Sequence, residues 1–233
     1  MAEGVLVIGP SGWGKSTAFR TLPPEETFII HSDEKALPFK GSRTLYKSNF
    51  KADGKFDPTT SNYYETDDPD VMFQLLNYIS EKRPDIKYVG IDTINHAMVA
   101  DYMRHAKTKG FEKFVDLALK VYNLCKRIPK MRADMVVIIT GHDEVIYDSN
   151  GNKLQKLRTI GKMLDEKVGS IESLFTTVLF SDLRKQDDGK IIYGFSTQTD
   201  GSNTCKSPIG MFEDNWIPND YMYVVTKVKE YLT

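Results

Sequence analysis

One short segment near the N-terminus constrains the fold of this chain more than any other. Residues 9–16 read Gly-Pro-Ser-Gly-Trp-Gly-Lys-Ser and match the pattern G-x-x-x-x-G-K-[ST] at every fixed position. They follow an apolar run, Val5 to Ile8, and open a predicted helix over 15–22, which is the context that a phosphate-binding loop (P-loop) requires. Glycines let successive backbone N–H groups point at phosphate oxygens, and the helix N-terminus adds partial positive charge. The segment therefore predicts a nucleotide site.

The expected roles within this segment follow from the chemistry of a triphosphate. Lys15 is expected to reach the β- and γ-phosphates, Ser16 to ligate Mg²⁺, and Thr17 to lie near the α-phosphate. The predicted cofactors are therefore a nucleoside triphosphate and Mg²⁺. The predicted nucleotide-binding residues are Gly9, Pro10, Ser11, Gly12, Trp13, Gly14, Lys15, Ser16 and Thr17.

The rest of the 233-residue chain alternates between short apolar runs and helical patterns. Several runs are continuous, which is typical of strands buried on both faces of a parallel sheet. The runs are 5–8, 27–31, 88–91, 135–140, 175–180 and 191–195, and helices are predicted over 15–22, 68–83, 95–107, 111–128 and 219–232. This order predicts one α/β domain over 1–233, with a mainly parallel central sheet flanked by helices. Polar insertions are expected near 41–65 and 147–167, the second with an Asn150-Gly151 hairpin signal.

Composition limits the classes of partner. The 31 Lys and Arg residues against 32 Asp and Glu residues give a net charge of −1, so nucleic-acid binding would need a local basic patch. Cys125 and Cys205 have no metal-site spacing and are expected to be reduced thiols. The N-terminal apolar run is too short for a signal peptide or a membrane span, so we expect a cytoplasmic protein with no membrane partner.

Carboxylates after two of the predicted strands are the candidates for phosphate chemistry. Asp92 ends the run 88–91 and is expected to orient Mg²⁺ through water. Thr93 follows it instead of the glutamate that AAA+ ATPases usually carry there, which argues against an AAA+ assignment. The catalytic carboxylate must then come from elsewhere. Residues 33–37, after the second strand, resemble the D-A-E-H-A-L segment of RecA-type ATPases. This resemblance implies Glu34 as the catalytic carboxylate, with Asp33 as the alternative.

Other polar residues complete the set of expectations. The run 135–140 ends near His142. RecA-like sheets carry a polar residue that senses the γ-phosphate at the end of this strand, and the resemblance implies that role for Thr140 or His142. His31, His96 and His105 have no metal-ligand spacing and are interpreted as structural. The segment 216–220 is interpreted as a cap of the final helix.

The order of these segments resembles the small phage-encoded P-loop ATPases with a RecA-like core that act as single-strand DNA annealing proteins. The segments are 9–16, 33–34, 37–41, 92–93, 140–142, 161–164 and 207–212. The resemblance implies a RecA-like fold, ATP as the nucleotide, and binding and annealing of single-stranded DNA. It also implies homo-oligomers on DNA, cooperation with a single-strand DNA-binding protein, and a location in the host cell cytoplasm.

RecA-type proteins carry a DNA-contacting loop where this chain has a basic segment without acids. Lys153, Lys156, Arg158 and Lys162 are the predicted DNA-binding residues, and Tyr147 is expected to stack on a base. RecA-like assemblies also complete the ATP site with a basic residue from the next subunit. Lys206 is the preferred candidate for that catalytic role, and Arg184-Lys185 is the alternative.

Two other classes of function stay open. A nucleotide kinase also starts with a P-loop, but it needs an arginine-rich lid, and lysine dominates the loops here. A non-hydrolysing ATP switch or loader would bind ATP without turnover. A small GTPase is disfavoured because the chain contains no N-K-x-D guanine motif.

Overall fold

The computed structural model describes residues 1–147, 151–161 and 169–232. Its strands are β1 (Glu3–Ile8), β2 (Thr27–His31), β3 (Tyr63–Glu65), β4 (Tyr88–Asp92), β5 (Val136–Gly141), β6 (Asp143–Tyr147), β7 (Lys153–Leu157), β8 (Thr177–Lys185), β9 (Ile191–Ser196) and β10 (Trp216–Pro218). Eight of them form one sheet in the order β10-β9-β8-β1-β5-β4-β2-β3, and β6 and β7 form a separate hairpin. The six strands from β8 to β3 are parallel, and β9 and β10 are added antiparallel at one edge. The predicted α/β fold with a mainly parallel sheet is confirmed.

The helices cover both faces of this sheet. They are α1 (Ser42–Leu45), α2 (Pro69–Lys82), α3 (Ile94–Arg104), α4 (Glu112–Arg127) and α5 (Tyr221–Leu232), with 3₁₀ helices at Ser16–Thr21, Ile128–Lys130 and Ile171–Leu174. Alternate residues of β1 face opposite layers: Leu6 packs with α2, α3 and α4, whereas Val7 packs with the Ser16–Thr21 helix and α5. No helix in the described ranges is both long and apolar enough to cross a bilayer.

Local signals explain where these elements begin and how closely they pack. The Asp68 side chain accepts a hydrogen bond from the Asp70 amide at 2.9 Å, and Pro69 occupies the first position of α2, a strong combination for helix initiation. In β4, Gly90 leaves room for the ring of Phe19, because a Cβ atom at Gly90 would lie 2.4 Å from Phe19 Cε1. This contact sets the Ser16–Thr21 helix close against the sheet.

The structure differs from the sequence prediction at the ends of the sheet and in the polar insertions. β8 continues to Lys185, so Arg184 and Lys185 lie within a strand and not after one. The short edge strands β3 and β10 are absent from the prediction. The insertion 41–65 contains α1 and adds β3 to the sheet edge. The second insertion starts earlier than predicted, because β6 and β7 form an antiparallel hairpin that begins at Asp143. Asn150 of the predicted turn lies outside the described residues.

Candidate nucleotide-binding site

The parallel topology brings the predicted phosphate-binding residues to one edge of the sheet. β1 ends at the P-loop, β4 ends at Asp92, and β5, which lies between them, carries Thr140 near its end. Ligands of open α/β sheets bind at the carboxyl ends of the strands. A cavity of about 430 Å³ opens here, lined by Ser11, Gly12, Gly14, Lys15, Ser16, Thr17, His31, Asp33, Lys35, Ala36, Pro38, Asp92, Thr93, His96 and His142.

The P-loop curls around the ammonium group of Lys15. The Nζ atom donates hydrogen bonds to the carbonyl oxygens of Gly9 at 2.6 Å and Pro10 at 2.8 Å. Burial lowers the pKa of Lys15 to about 8, and Asp92 and Asp143 partly oppose that shift. Gly12 and Gly14 have φ angles of +80° and +86°, a region that residues with side chains rarely adopt. In a complex, phosphate oxygens would be the partners of the Lys15 ammonium group. Of the predicted loop residues, Gly9, Pro10 and Trp13 lie outside the residues that line the cavity, and Trp13 is partly buried.

Asp92 is the buried carboxylate beneath the P-loop. Its Oδ1 atom accepts hydrogen bonds from Ser16 Oγ at 2.9 Å and Thr140 Oγ1 at 2.5 Å, and its Oδ2 atom lies 3.4 Å from His31 Nδ1. Burial alone would raise the pKa of Asp92, but His31, Thr140 and Ser16 together hold it below its usual value. Asp92 is therefore ionised at neutral pH.

The donor set at Asp92 fits Mg²⁺. Within the described ranges there is no group of three or more His, Cys, Asp or Glu side chains that could hold a metal ion. Mg²⁺ prefers oxygen ligands and usually binds through one or two protein groups together with substrate phosphates and waters. The Ser16 hydroxyl would ligate it, and the Asp92 carboxylate would hold its water ligands.

The two carboxylates after β2 have different positions. Asp33 lines the P-loop cavity, with its Oδ2 atom 3.1 Å from Lys35 Nζ and 3.7 Å from His96 Nδ1. Burial alone would raise the pKa of Asp33, but Lys35 and His96 lower it overall. Glu34 is exposed and lines a neighbouring cavity with Arg43 and Tyr63. The structure therefore brings Asp33, and not the preferred Glu34, to the nucleotide site.

His142 also lines the P-loop cavity. Burial lowers the pKa of this imidazole, and the positive charge of Lys15 lowers it further. Its ring centroid is 6.0 Å from that of His96. A neutral imidazole at this position can donate a hydrogen bond to a phosphate oxygen.

A side chain that sequence reasoning missed connects His142 to the hairpin. Asn95 Oδ1 accepts a hydrogen bond from the His142 amide at 2.6 Å, and Asn95 Nδ2 donates to the Arg158 carbonyl at 2.7 Å. The Arg158 amide in turn donates to the His142 carbonyl at 2.9 Å. His31 and His96, interpreted as structural from the sequence, also line the cavity. Their positions were the available signal, because His31 ends β2 and His96 follows β4.

The predicted DNA-binding residues do not form a single exposed loop. Lys153 and Arg158 are exposed, but Lys156 is only 9% exposed and its Nζ atom lies 3.7 Å from Glu144 Oε1. Cross-strand pairing places Lys156 opposite Glu144, so it is less accessible than Lys153 and Arg158, and its contact with DNA stays a prediction. Lys162 lies outside the described residues.

Lys206 is held by backbone pairing beside β8. Its amide and carbonyl exchange hydrogen bonds with Val178 at 2.9 and 2.8 Å. It does not line the P-loop cavity of its own chain. Its role in a neighbouring subunit stays a prediction. Arg184 lies over the ring of Trp216, with Cζ 4.5 Å from the ring centroid.

Comparison with known proteins gives the family. No curated protein matches the chain. A model of the AAA domain family matches residues 2–209, which include the P-loop, Asp92 and every strand through β9. The argument from Thr93 against an AAA-type assignment is therefore overturned, since the match spans most of the chain despite the missing second carboxylate. The chain belongs to the AAA domain family, whose members are AAA-type P-loop ATPases.

Proposed function

We propose that the chain is a Mg²⁺-dependent ATPase that binds single-stranded DNA through the β6–β7 hairpin and promotes strand annealing. The observation that carries the ATPase part is the buried Asp92 carboxylate, held by Ser16 and Thr140 directly beneath the P-loop. An ionised carboxylate joined to the P-loop serine is what hydrolysis of a Mg²⁺-bound triphosphate requires.

The residues of this chain would act mainly by positioning and charge. Lys15 would bind the β- and γ-phosphates, and His142 would donate a hydrogen bond to the γ-phosphate. Mg²⁺ would neutralise charge on the phosphates when bound. Asp33 would orient a water so that its oxygen forms a bond to the γ-phosphorus while the bond to the β–γ bridging oxygen breaks. The products are ADP and phosphate, and the water proton passes to phosphate or solvent. Because its pKa is lowered, Asp33 is better suited to orienting water than to accepting its proton.

The DNA part of the proposal is supported by the surface of the hairpin and by its connection to the site. Tyr147 is 70% exposed on β6, and Lys153 and Arg158 are exposed on or beside β7. An aromatic ring with nearby cations suits a single strand, because the ring can stack on bases and the cations can contact phosphates. The hydrogen bonds of Asn95 join the base of the hairpin to His142. A change at the γ-phosphate would thereby reach the DNA-binding surface.

Self-assembly belongs to the same proposal. Lys206 would act in the ATP site of a neighbouring subunit, where a cation stabilises charge in the transition state. In such an assembly, ATP turnover would depend on protein concentration as well as on DNA. A single-strand DNA-binding protein would be a partner at the DNA.

The test is ATP hydrolysis with and without single-stranded DNA at two salt concentrations. We expect DNA to stimulate turnover, less so at high salt because phosphate contacts release counterions. Lys15→Ala is expected to abolish turnover while circular dichroism stays unchanged. Turnover by Lys15→Ala would contradict the site assignment. Phosphate transfer to an added nucleoside monophosphate would favour a kinase, and ATP binding without turnover would favour a switch.

A further inference from the structure

A second cavity lies on the other side of the P-loop. It has a volume of about 680 Å³, within the range of small-molecule sites, and it lies between the Ser16–Thr21 helix and the sheet edge formed by β9 and β10. Gly12, Gly14 and Thr17 line both this cavity and the P-loop cavity. The two cavities therefore meet at the P-loop.

The order of the phosphates along the P-loop indicates what enters the second cavity. Asp92, Thr140 and His142 occupy the side where the γ-phosphate and Mg²⁺ belong. Thr17, which is expected to lie near the α-phosphate, lines both cavities. The nucleoside is attached to the α-phosphate, so it leaves the P-loop on the Thr17 side, toward the second cavity.

The wall of this cavity is held in place by a chain of hydrogen bonds. Asn219 Nδ2 donates to the Gly14 carbonyl at 2.9 Å, and Asn219 Oδ1 accepts from Arg20 Nη1 at 2.7 Å. Arg20 Nη1 also donates to the Thr17 carbonyl at 2.9 Å. The backbone N–H of Asn219 donates to the Tyr193 carbonyl at 3.1 Å. The segment 216–220 therefore does more than cap α5, because it joins the P-loop to the edge strand that carries Tyr193.

Tyr193 provides the aromatic surface in this wall. Its side chain lines the cavity and is 44% exposed, and its Cδ1 atom would lie 3.3 Å from a Cβ atom at Gly14. The ring is thus next to the P-loop and still accessible. An accessible ring beside the exit of the α-phosphate can stack on a base.

We propose that this cavity binds the nucleoside of the nucleoside triphosphate, with Tyr193 stacking on the base and Asn219 positioning the wall. The inference rests on the proposed nucleotide site, and it adds residues and a surface that phosphate binding alone does not need. Stacking accepts any aromatic base, so the site selects nucleotides over inorganic polyphosphate.

The test compares two ligands that differ only in the nucleoside. Dissociation constants for ATP and for inorganic tripolyphosphate, both with Mg²⁺, are measured by calorimetry for the wild-type chain and for Tyr193→Ala. We expect Tyr193→Ala to weaken ATP binding by about tenfold or more and to leave tripolyphosphate binding unchanged. Tyr193→Phe is expected to retain ATP affinity, since it keeps the aromatic face. Tyr193→Leu, which keeps apolar bulk without that face, is expected to behave like Tyr193→Ala.

The matched control is Tyr231→Ala, since Tyr231 is 47% exposed on α5 and lies outside the cavity. Equal losses for ATP and tripolyphosphate in Tyr193→Ala would mean that Tyr193 only supports the P-loop, and would overturn the proposal. If the wild-type chain bound tripolyphosphate as tightly as ATP, the proposed nucleoside site would also be overturned. The proposed phosphate site would not be affected by that result. Binding of neither ligand would overturn both this proposal and the proposed ATPase.

Discussion

The two polar insertions have different places in the structure. In the first, residues 41–65, Ser61 is completely buried, and its hydroxyl donates to the Asp57 carbonyl at 2.7 Å. The Arg83 guanidinium, contributed by the end of α2, donates to the carbonyls of Pro58 at 2.6 Å and Ser61 at 2.7 Å. The hairpin formed by β6 and β7 lies outside the main sheet and leaves Val145, Ile146 and Tyr147 exposed.

This difference shows that polarity alone does not indicate whether a segment is structural or available to a ligand. What separates the two insertions is their place relative to the main sheet: the first adds a strand to its edge, whereas the hairpin lies outside it and keeps an exposed aromatic ring. The first insertion satisfies its buried carbonyls through Arg83 and adds β3 to the sheet. The hairpin carries the exposed Arg158 at its base beside His142, and it carries the exposed Tyr147 and Lys153 opposite each other at its far end.

The largest expected effect is a loss of stability when the contacts of Arg83 with the first insertion are removed. Arg83→Ala would remove the donors for two carbonyls of the first insertion and the partner of Asp85, whose Oδ2 atom lies 2.7 Å from Arg83 Nη2. We expect the free energy of unfolding to fall by about 2–4 kcal/mol, measured by urea denaturation. Arg43→Ala, at an exposed position in the same insertion, is the control and is expected to change stability by less than about 0.5 kcal/mol. Equal stability of the two variants would mean that Arg83 does not hold the insertion.

The next effect concerns exposed aromatic rings. Tyr147→Ala is expected to weaken binding of single-stranded DNA by about 1–3 kcal/mol, because it removes a ring on which a base can stack. Phe50→Ala removes a ring of similar exposure, 63%, from the first insertion and is expected to leave DNA affinity unchanged. Fluorescence anisotropy with a labelled oligonucleotide measures both. A loss of the same size in Phe50→Ala would assign DNA binding to the first insertion as well.

The smallest effect distinguishes two lysines within the hairpin. Lys153 is exposed, whereas Lys156 is buried beside Glu144. Lys153→Gln is expected to reduce the slope of log K against log salt by about 0.7, the value for one phosphate contact on a single strand. Lys156→Gln is expected to leave that slope unchanged. The opposite result would mean that Lys156 leaves Glu144 when DNA binds.

The sequence predicted the central strands, the main helices and the P-loop because burial on both faces produces continuous apolar runs. It missed β3 and β10 because three-residue edge strands carry too few residues to show a pattern. The roles of Asp33 and Glu34 could not be separated from sequence, because they depend on the path of the chain after β2. The burial of Lys156 could not be predicted, because only the pairing of β7 with β6 reveals that it faces Glu144. Asn95 was missed because its two partners are more than 40 residues away along the chain.

Gly90 and Phe19 are expected to change together in related sequences. Because a Cβ atom at Gly90 would lie 2.4 Å from Phe19 Cε1, a larger residue in the strand is compatible only with a smaller residue in the helix. Since Phe19 belongs to the helix that the P-loop opens, a change in the strand would also alter the height of the P-loop above the sheet. This covarying pair would identify relatives that share the same P-loop geometry, even where the polar insertions have diverged.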